Sequence, residues 1–258
     1  MTKSHLLPLA AALLSSSAFC ATVPIGPGTY TENFNSLIAS DAPAPGWNLR
    51  TGATATSLGS GALNAVPPTL RAWTHTNGQF KNVSSTNIPQ ASNATEQTAN
   101  PNRALGLNQV IGFGDPGASF GFSFSSTEVR LNTVSIDLLL TNNTNKSTTF
   151  LVQYGVGAAP TEFFTLASWS DQDVAGGWGS TTLTFDRSQF GAALDHQPQA
   201  WFRVAALNQA STTGGAYDQV AIDNFSITAS AVPEPASVLL GALGLLGLVS
   251  RRRAFRRG

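Results

Sequence analysis

Two carboxylates stand in strand-like runs at opposite ends of the chain. Glu32 opens the run Glu-Asn-Phe-Asn-Ser-Leu at 32–37, and Asp223 sits inside Val-Ala-Ile-Asp-Asn-Phe-Ser-Ile at 220–227. A hard cation takes carboxylate and carbonyl oxygens, so Glu32 and Asp223 are candidate ligands of a structural Ca2+ if first and last strands lie side by side. Capping a sheet edge with charge and hydrogen bonds is the simpler use of the same residues. Asp171-Gln172-Asp173 opens like a calcium loop, but Ala175 holds its fifth position and Thr182 stands where a bidentate Glu is needed, which leaves a solvated turn. Asp171 and Asp173 are also the nearest carboxylate pair for glycoside cleavage, although no spacing in the sequence separates an acid from a nucleophile.

The other reactive residues are sparse. Of three histidines, His5, His75 and His196, none lies in an HExxH motif, and no GxSxG is present, so the usual parts of zinc-protease and α/β-hydrolase chemistry are missing. Asp195 and His196 are adjacent, and on an extended segment adjacent side chains point to opposite faces. Gly112-Phe113-Gly114-Asp115-Pro116-Gly117 fits GxGxxG, but the strand-like run 118–124 follows it instead of the helix whose N-terminus would hold a pyrophosphate. Among Trp47, Trp73, Trp169, Trp178 and Trp201, Trp178 lies between two glycines. An exposed ring there would offer a stacking face to a sugar; packing against the body is the plainer use. Trp201 heads an apolar run and reads as core. With Cys20 alone, neither a disulfide nor a thiolate metal cluster can form.

The elements that must position these residues read as strands. Only 11% of the 258 residues are charged, too few for long amphipathic helices. Alternating or β-branched runs occur at 29–34, 118–124, 133–140, 148–156, 162–167, 181–185, 201–207 and 219–228. Phe150, Val152, Tyr154 and Val156 alternate on one face, as do Leu183 and Phe185. Asn- and Gly-rich turns separate the runs. The expected fold is all-β: an antiparallel, jelly-roll-like β-sandwich over 21–231, with 38–102 as long loops across it. A bulge at Asp223-Asn224 would return Phe225 and Ile227 to the face that Val220 and Ile222 share.

Both ends read as targeting segments. Lys3, the apolar run 6–14 and the small residues before Ala21 form a signal peptide over 1–20, which implies the Sec translocon and signal peptidase. At 232–258, Val232-Pro233-Glu234-Pro235 precedes an uncharged apolar stretch, 236–250, and then Arg251, Arg252, Arg253, Arg256 and Arg257. Fifteen helical residues span roughly 22 Å, short of the roughly 30 Å hydrocarbon layer but tolerable with local thinning and snorkelling arginines. The basic cluster is expected to stay cytoplasmic, anchoring the chain in the inner membrane with the body outside. Between Ala21 and Pro233 there are 8 Lys+Arg against 13 Asp+Glu, a net charge of minus five that makes a poor nucleic-acid binder.

This ending resembles the PEP-CTERM sorting signal, with the Pro-Glu-Pro, the short apolar helix and the terminal arginines in order. The resemblance implies an exosortase as partner, cleavage near the motif, and delivery to the envelope or release outside. The two prolines keep the helix from running back through 233–235 and leave an extended peptide for a processing enzyme. The expected function is therefore a non-catalytic surface or matrix protein associated with extracellular polysaccharide, with no cofactor beyond the candidate Ca2+. A secreted carboxylate-dependent glycan hydrolase and a self-associating adhesin are the alternatives.

Overall fold

A computed structural model describes residues 21–40, 42–60, 78–86, 94–143, 146–171, 178–208 and 217–232. In chain order its elements are β1 (Val23–Pro24), β2 (Gly28–Glu32), β3 (Trp47–Arg50), β4 (Gln79–Ser84), α1 (Ala94–Ala99), β5 (Arg103–Asn108), β6 (Val110–Ile111), β7 (Gly114–Asp115), β8 (Ala118–Ser125), β9 (Val129–Asn142), β10 (Thr149–Val156), β11 (Phe164–Ser170), β12 (Gly179–Asp186), α2 (Arg187–Phe190), β13 (Ala200–Ala206) and β14 (Gln219–Ala231). Two six-stranded sheets form the body. The first runs β1-β8-β13-β10-β11 with β3 also on β8; the second runs β12-β9-β14-β5-β4 with β2 also on β14. Apart from β1 on β8 and the small β6-β7 pair, every pairing between these strands is antiparallel.

The alternating apolar runs become the facing layers of this sandwich. Phe120, Phe122 and Phe124 of β8 meet Phe202 and Val204 of β13 and Val220, Ile222, Phe225 and Ile227 of β14 in one buried core. Phe225 is its hub, with ring centroids 5.0 Å from Phe122, 5.1 Å from Trp47 and 5.6 Å from Phe202, in tilted or edge-on pairs that suit the aromatic quadrupole. Its place depends on the bulge: the β14–β9 register slips between Asp223 and Ser226, and Asn224 takes φ 45°. Asn tolerates that left-handed conformation better than most side chains, so Asn224 turns outward and Phe225 inward.

The structure corrects three sequence expectations. Residues 38–102 are not loops alone, since they supply β3 and β4, and β5 follows at 103 in a stretch not read as a strand. Val156 leaves the buried face of Phe150, Val152 and Tyr154 and is 38% exposed, because the strand ends there. Trp201 is buried but not in the inter-sheet core; it lies on the opposite face of β13 from Phe202, with its Nε1–H donating to the Gly157 carbonyl at 3.1 Å. Among the described residues no helix is long and apolar enough to cross a membrane, and the expected signal peptide and tail helix fall outside those residues.

Candidate functional site

The last strand brings the two candidate calcium ligands into one neighbourhood. β2 pairs with β14 so that Glu32 is opposite Phe225, two residues from Asp223, and Asp137 of β9 is opposite Asp223 itself. Asp223 is fully buried. Its Oδ2 accepts from the Ser85 hydroxyl and its Oδ1 from the Asn224 N–H at 2.7 Å. Burial pushes its carboxyl up to about 6, against those two donors, and the charges of Asp137 and Glu32 add to the rise. Glu32 is raised as well, first by burial, while the Phe34 N–H donates to its Oε1 at 2.6 Å. Asp137 accepts from Thr182 at 2.6 Å and from the Asn224 amide at 2.8 Å. Calcium takes six to eight oxygens, and among the described residues no group of three or more His, Cys, Asp or Glu side chains is placed to hold a metal ion. Protein donors already engage these carboxylates.

A second polar cluster was invisible in the sequence. Arg203 of β13 points away from the core, is 1% exposed, and among the described residues has no carboxylate partner. Its guanidinium donates to Gln153 Oε1 at 2.9 Å, the Ser57 carbonyl at 2.8 Å and the Thr54 carbonyl at 2.9 Å, while Phe163 covers it with a ring centroid 3.3 Å away. Burial pulls it down to about 10. The segment 51–60 is thereby strapped over the outer face of the first sheet. Gly59, at φ 98°, makes the return turn, where a Cβ would lie 2.6 Å from the Thr51 carbonyl oxygen.

The remaining sequence candidates scatter. Trp178 is half-buried and packs on Val83, Ala104, Leu139 and Ala221 on the outer side of the second sheet. Asp195 forms an ion pair with Arg187, at 2.7 Å to Nη1, and accepts from the Leu131 N–H, so it does not orient His196. His196 is exposed. The GxGxxG stretch is the turn from β6 through β7 into β8, as expected from the strand that follows it. Asp171 is not in a solvated turn but 1% exposed at the end of β11, and Asp173, like Trp73, His5 and His75, falls outside the described residues.

The chain leaves the sandwich from the middle of a sheet. β14 lies between β9 and the β5/β2 pair, and its last residues, Ala229 to Ala231, pair with Leu131, Arg130 and Val129. Val232 follows at once and is half-buried; Pro233, Glu234, Pro235 and the five tail arginines lie outside the described residues. The same end holds the Ser126–Gln197 and Arg187–Asp195 contacts that close the β8–β9 turn onto the segment before β13.

Comparison with known proteins bears on the tail and the body separately. No curated protein matches the chain. Similar solved structures include a xylan-binding domain from Paenibacillus barcinonensis (10% identity, 79% of this chain and 95% of that one, TM-score 0.39). Others are the K1 cleaved adhesin domain of Lys-gingipain from Porphyromonas gingivalis (12%, 78% and 97%, 0.40) and the family 15 xylan-binding module (8%, 81% and 100%, 0.42). Likeness at this level carries no argument about what this chain binds. Residues 231–253 match the PEP-CTERM protein-sorting motif, and since β14 ends at Ala231, this chain carries a PEP-CTERM sorting signal joined without a linker to a central strand of its β-sandwich.

Proposed function

We propose that this protein is exported, held in the inner membrane by its C-terminal signal until an exosortase processes it, and delivered to the cell surface or matrix as a non-catalytic, polysaccharide-associated module. The sorting motif at 231–253 is the observation that carries the reading. The tail arginines favour the cytoplasmic side, which leaves the acidic body outside. Because β14 runs into the motif, the end of the sandwich at 125–130 and 194–199 would face the membrane. The end at 109–117, 146–148 and 217–218 would then face outward. Trp178 is the proposed glycan-contacting aromatic. Glu32 and Asp223 remain the pair to which a structural Ca2+ would be assigned, should one be taken up. The engagement of Asp195 by Arg187 supports a structural role for the Asp195-His196 dipeptide.

The test is mass spectrometry of the mature protein's termini in the producing bacterium, with and without its exosortase. Cleavage within 231–253 that disappears without the enzyme, and that Pro233→Ala with Pro235→Ala blocks, is the expected result; an intact C-terminus in both strains rules the sorting out. Retention of the purified protein on the producer's own polysaccharide tests the second half independently. Flow-through identical to that of an unrelated acidic β protein would remove it.

A further inference from the structure

Six strands lie at the open edges of the two sheets: β1, β3 and β11 of the first, and β2, β4 and β12 of the second. An open edge presents unpaired N–H and C=O groups that template another strand, and natural sheets blunt it with brevity, proline, a bulge, a charge or a cover. Five of the six do so. β1 is two residues long and includes Pro24, β3 has four residues, and β2 starts directly after Pro27 and ends on Glu32. β4 holds Lys81 and is buried from Phe80 to Ser84. β11 bulges at Leu166, where its register on β10 slips.

β12 uses none of these devices. Its residues, Gly-Ser-Thr-Thr-Leu-Thr-Phe-Asp, pair with β9 from Gly179 on Leu140 to Asp186 on Thr133 without a slip. It contains no Lys, Arg or Pro, and its single charge is its last residue. Ser180, Thr182, Thr184 and Asp186 are exposed on the outer face, while Leu183 packs only partly against the core. Among the described residues nothing pairs with the other side of this strand.

The strand's own pattern selects its occupant. Pairing β12 antiparallel with a second copy about Leu183 keeps every side chain on its own face, because opposite residues then share parity. Leu183 meets Leu183, Thr182 meets Thr184, and Ser180 meets Asp186. The half-buried leucine gains cover from an identical one, and the hydroxyl row of the outer face continues across the junction. The two Asp186 carboxylates end roughly 20 Å apart, six residues at about 3.4 Å each, beyond the Debye length of about 8–10 Å. Parallel pairing in register would instead set Asp186 beside Asp186 at about 4.8 Å, where like charges repel.

Direction ties this edge to the sorting signal. β12 and β14 are both antiparallel to β9, so both run toward the end where the motif begins. In an antiparallel pair the two motifs therefore leave at opposite ends. Copies anchored side by side in one membrane all send β12 the same way and turn only about the membrane normal, so they cannot form this pair.

We propose that β12 is a self-association edge, through which two copies join their second sheets into one continuous sheet by antiparallel β12 pairing, and that the pair forms only after processing has freed the chains from the membrane. The release step rests on the export and processing proposed above; the edge itself does not.

Leu183→Cys tests the register, in the full chain carrying Cys20→Ser so that no other thiol is present. Opposite Cα atoms of an antiparallel pair lie about 4.5–5.5 Å apart, within disulfide range, whereas Ser180→Cys leaves the two thiols roughly 20 Å apart. In detergent solution the full chain is expected to sediment as a monomer–dimer mixture whose dimer fraction rises with concentration. Under mild oxidation Leu183→Cys should cross-link about tenfold faster than Ser180→Cys. Thr182→Lys with Thr184→Lys, which sets lysines opposite one another, should raise the dimer dissociation constant by about tenfold or more. Monomer at every concentration, or equal cross-linking at both positions, overturns the edge. Slow amide exchange along β12 in such a monomer would assign it to another segment of this chain. In the producing bacterium the Leu183→Cys dimer should fall about tenfold when the exosortase is removed; an unchanged yield overturns the dependence on release. Uncleaved C-termini in both strains would remove the sorting reading and the release step with it, and the detergent measurement decides the edge without either.

Discussion

Replacing Arg203 with Met removes the guanidinium while keeping an unbranched stem under Phe163. Three charge-assisted hydrogen bonds go with it, to Gln153, Ser57 and Thr54, each contributing about 1.5–3 kcal/mol. Against them stands the cost of burying the cation. The fall of the guanidinium to about 10 corresponds to roughly 3 kcal/mol at about 1.4 kcal/mol per tenfold. The difference, about 3 kcal/mol, is what Arg203 holds in place, and two of its three acceptors belong to the strap. Once freed, the Thr54 and Ser57 carbonyls can reach water by lifting the strap, so the loss should be local. An opening free energy lowered by about 3 kcal/mol raises the open population about a hundredfold. Hydrogen exchange reads this directly, at the Ala53 amide bonded to the Gly117 carbonyl and the Ser60 amide bonded to the Thr51 carbonyl. Both should exchange about a hundredfold faster in Arg203→Met, with β8 and β13 amides unchanged. Equal exchange in wild type and variant would show that the strap holds itself; faster exchange spread across both strands would show that Arg203 supports the whole sheet.

Other expectations concern the core, the last strand and the outer aromatic. Phe225→Ala should cost about 4 kcal/mol in urea unfolding, since it empties the hub of the aromatic core; a loss below about 1 kcal/mol would mean that the neighbouring rings collapse into the space. Asp223 is raised to about 6 in the folded protein, so its contribution is full below the ordinary carboxyl range and lost as pH climbs to about 6. Asp223→Asn should flatten that part of the profile, and a calcium-dependent rise in Tm confined to the wild type would instead assign the carboxylate to a cation. Trp178→Ala should cost about 2 kcal/mol by exposing the Val83–Leu139 patch. Loss of polysaccharide retention without that destabilisation would identify the ring as a glycan platform.

The layers of the fold were legible where one residue in two is apolar. Phe120, Phe122 and Phe124, or Val220 and Ile222 with Phe225 and Ile227 across a bulge, announce a buried face through their period alone, and the bulge itself was readable from the shift in that period. The strands that were missed have a different character. In β5, Arg103 to Asn108, both faces are buried and the side chains include Arg, Asn and a glycine, so no alternation survives. β4 places Lys81, Asn82 and Ser84 against covered surface, and a run of that composition reads as loop until its neighbours are known.

The polar clusters were illegible for a related reason, because each is made by a distant segment folding back. Arg203 becomes a buried cation only when the carbonyls of Thr54 and Ser57, about 150 residues away, arrive over its face, and backbone carbonyls leave no trace in residue types. Asp171 looked like a turn residue because its sequence neighbours are polar and Gly-rich, yet its burial is set by the segments before β10 and β14. Glu32 and Asp223 were found because a rule of topology, first strand beside last, could stand in for geometry. Asp137 was missed because nothing in the sequence placed the middle of β9 opposite the bulge. A carboxylate's chemistry here follows from how deeply it is buried and which donors and charges reach it. Asp195, met by Arg187 and a backbone N–H, is lowered, whereas burial first, and neighbouring acids after it, raise Asp171 and Asp223 against the donors that reach them. Residue type alone would have assigned all three the same behaviour, so the pH profile of this domain is a property of its long-range pairing and should change with single substitutions at the pairing segments even when every aspartate is kept.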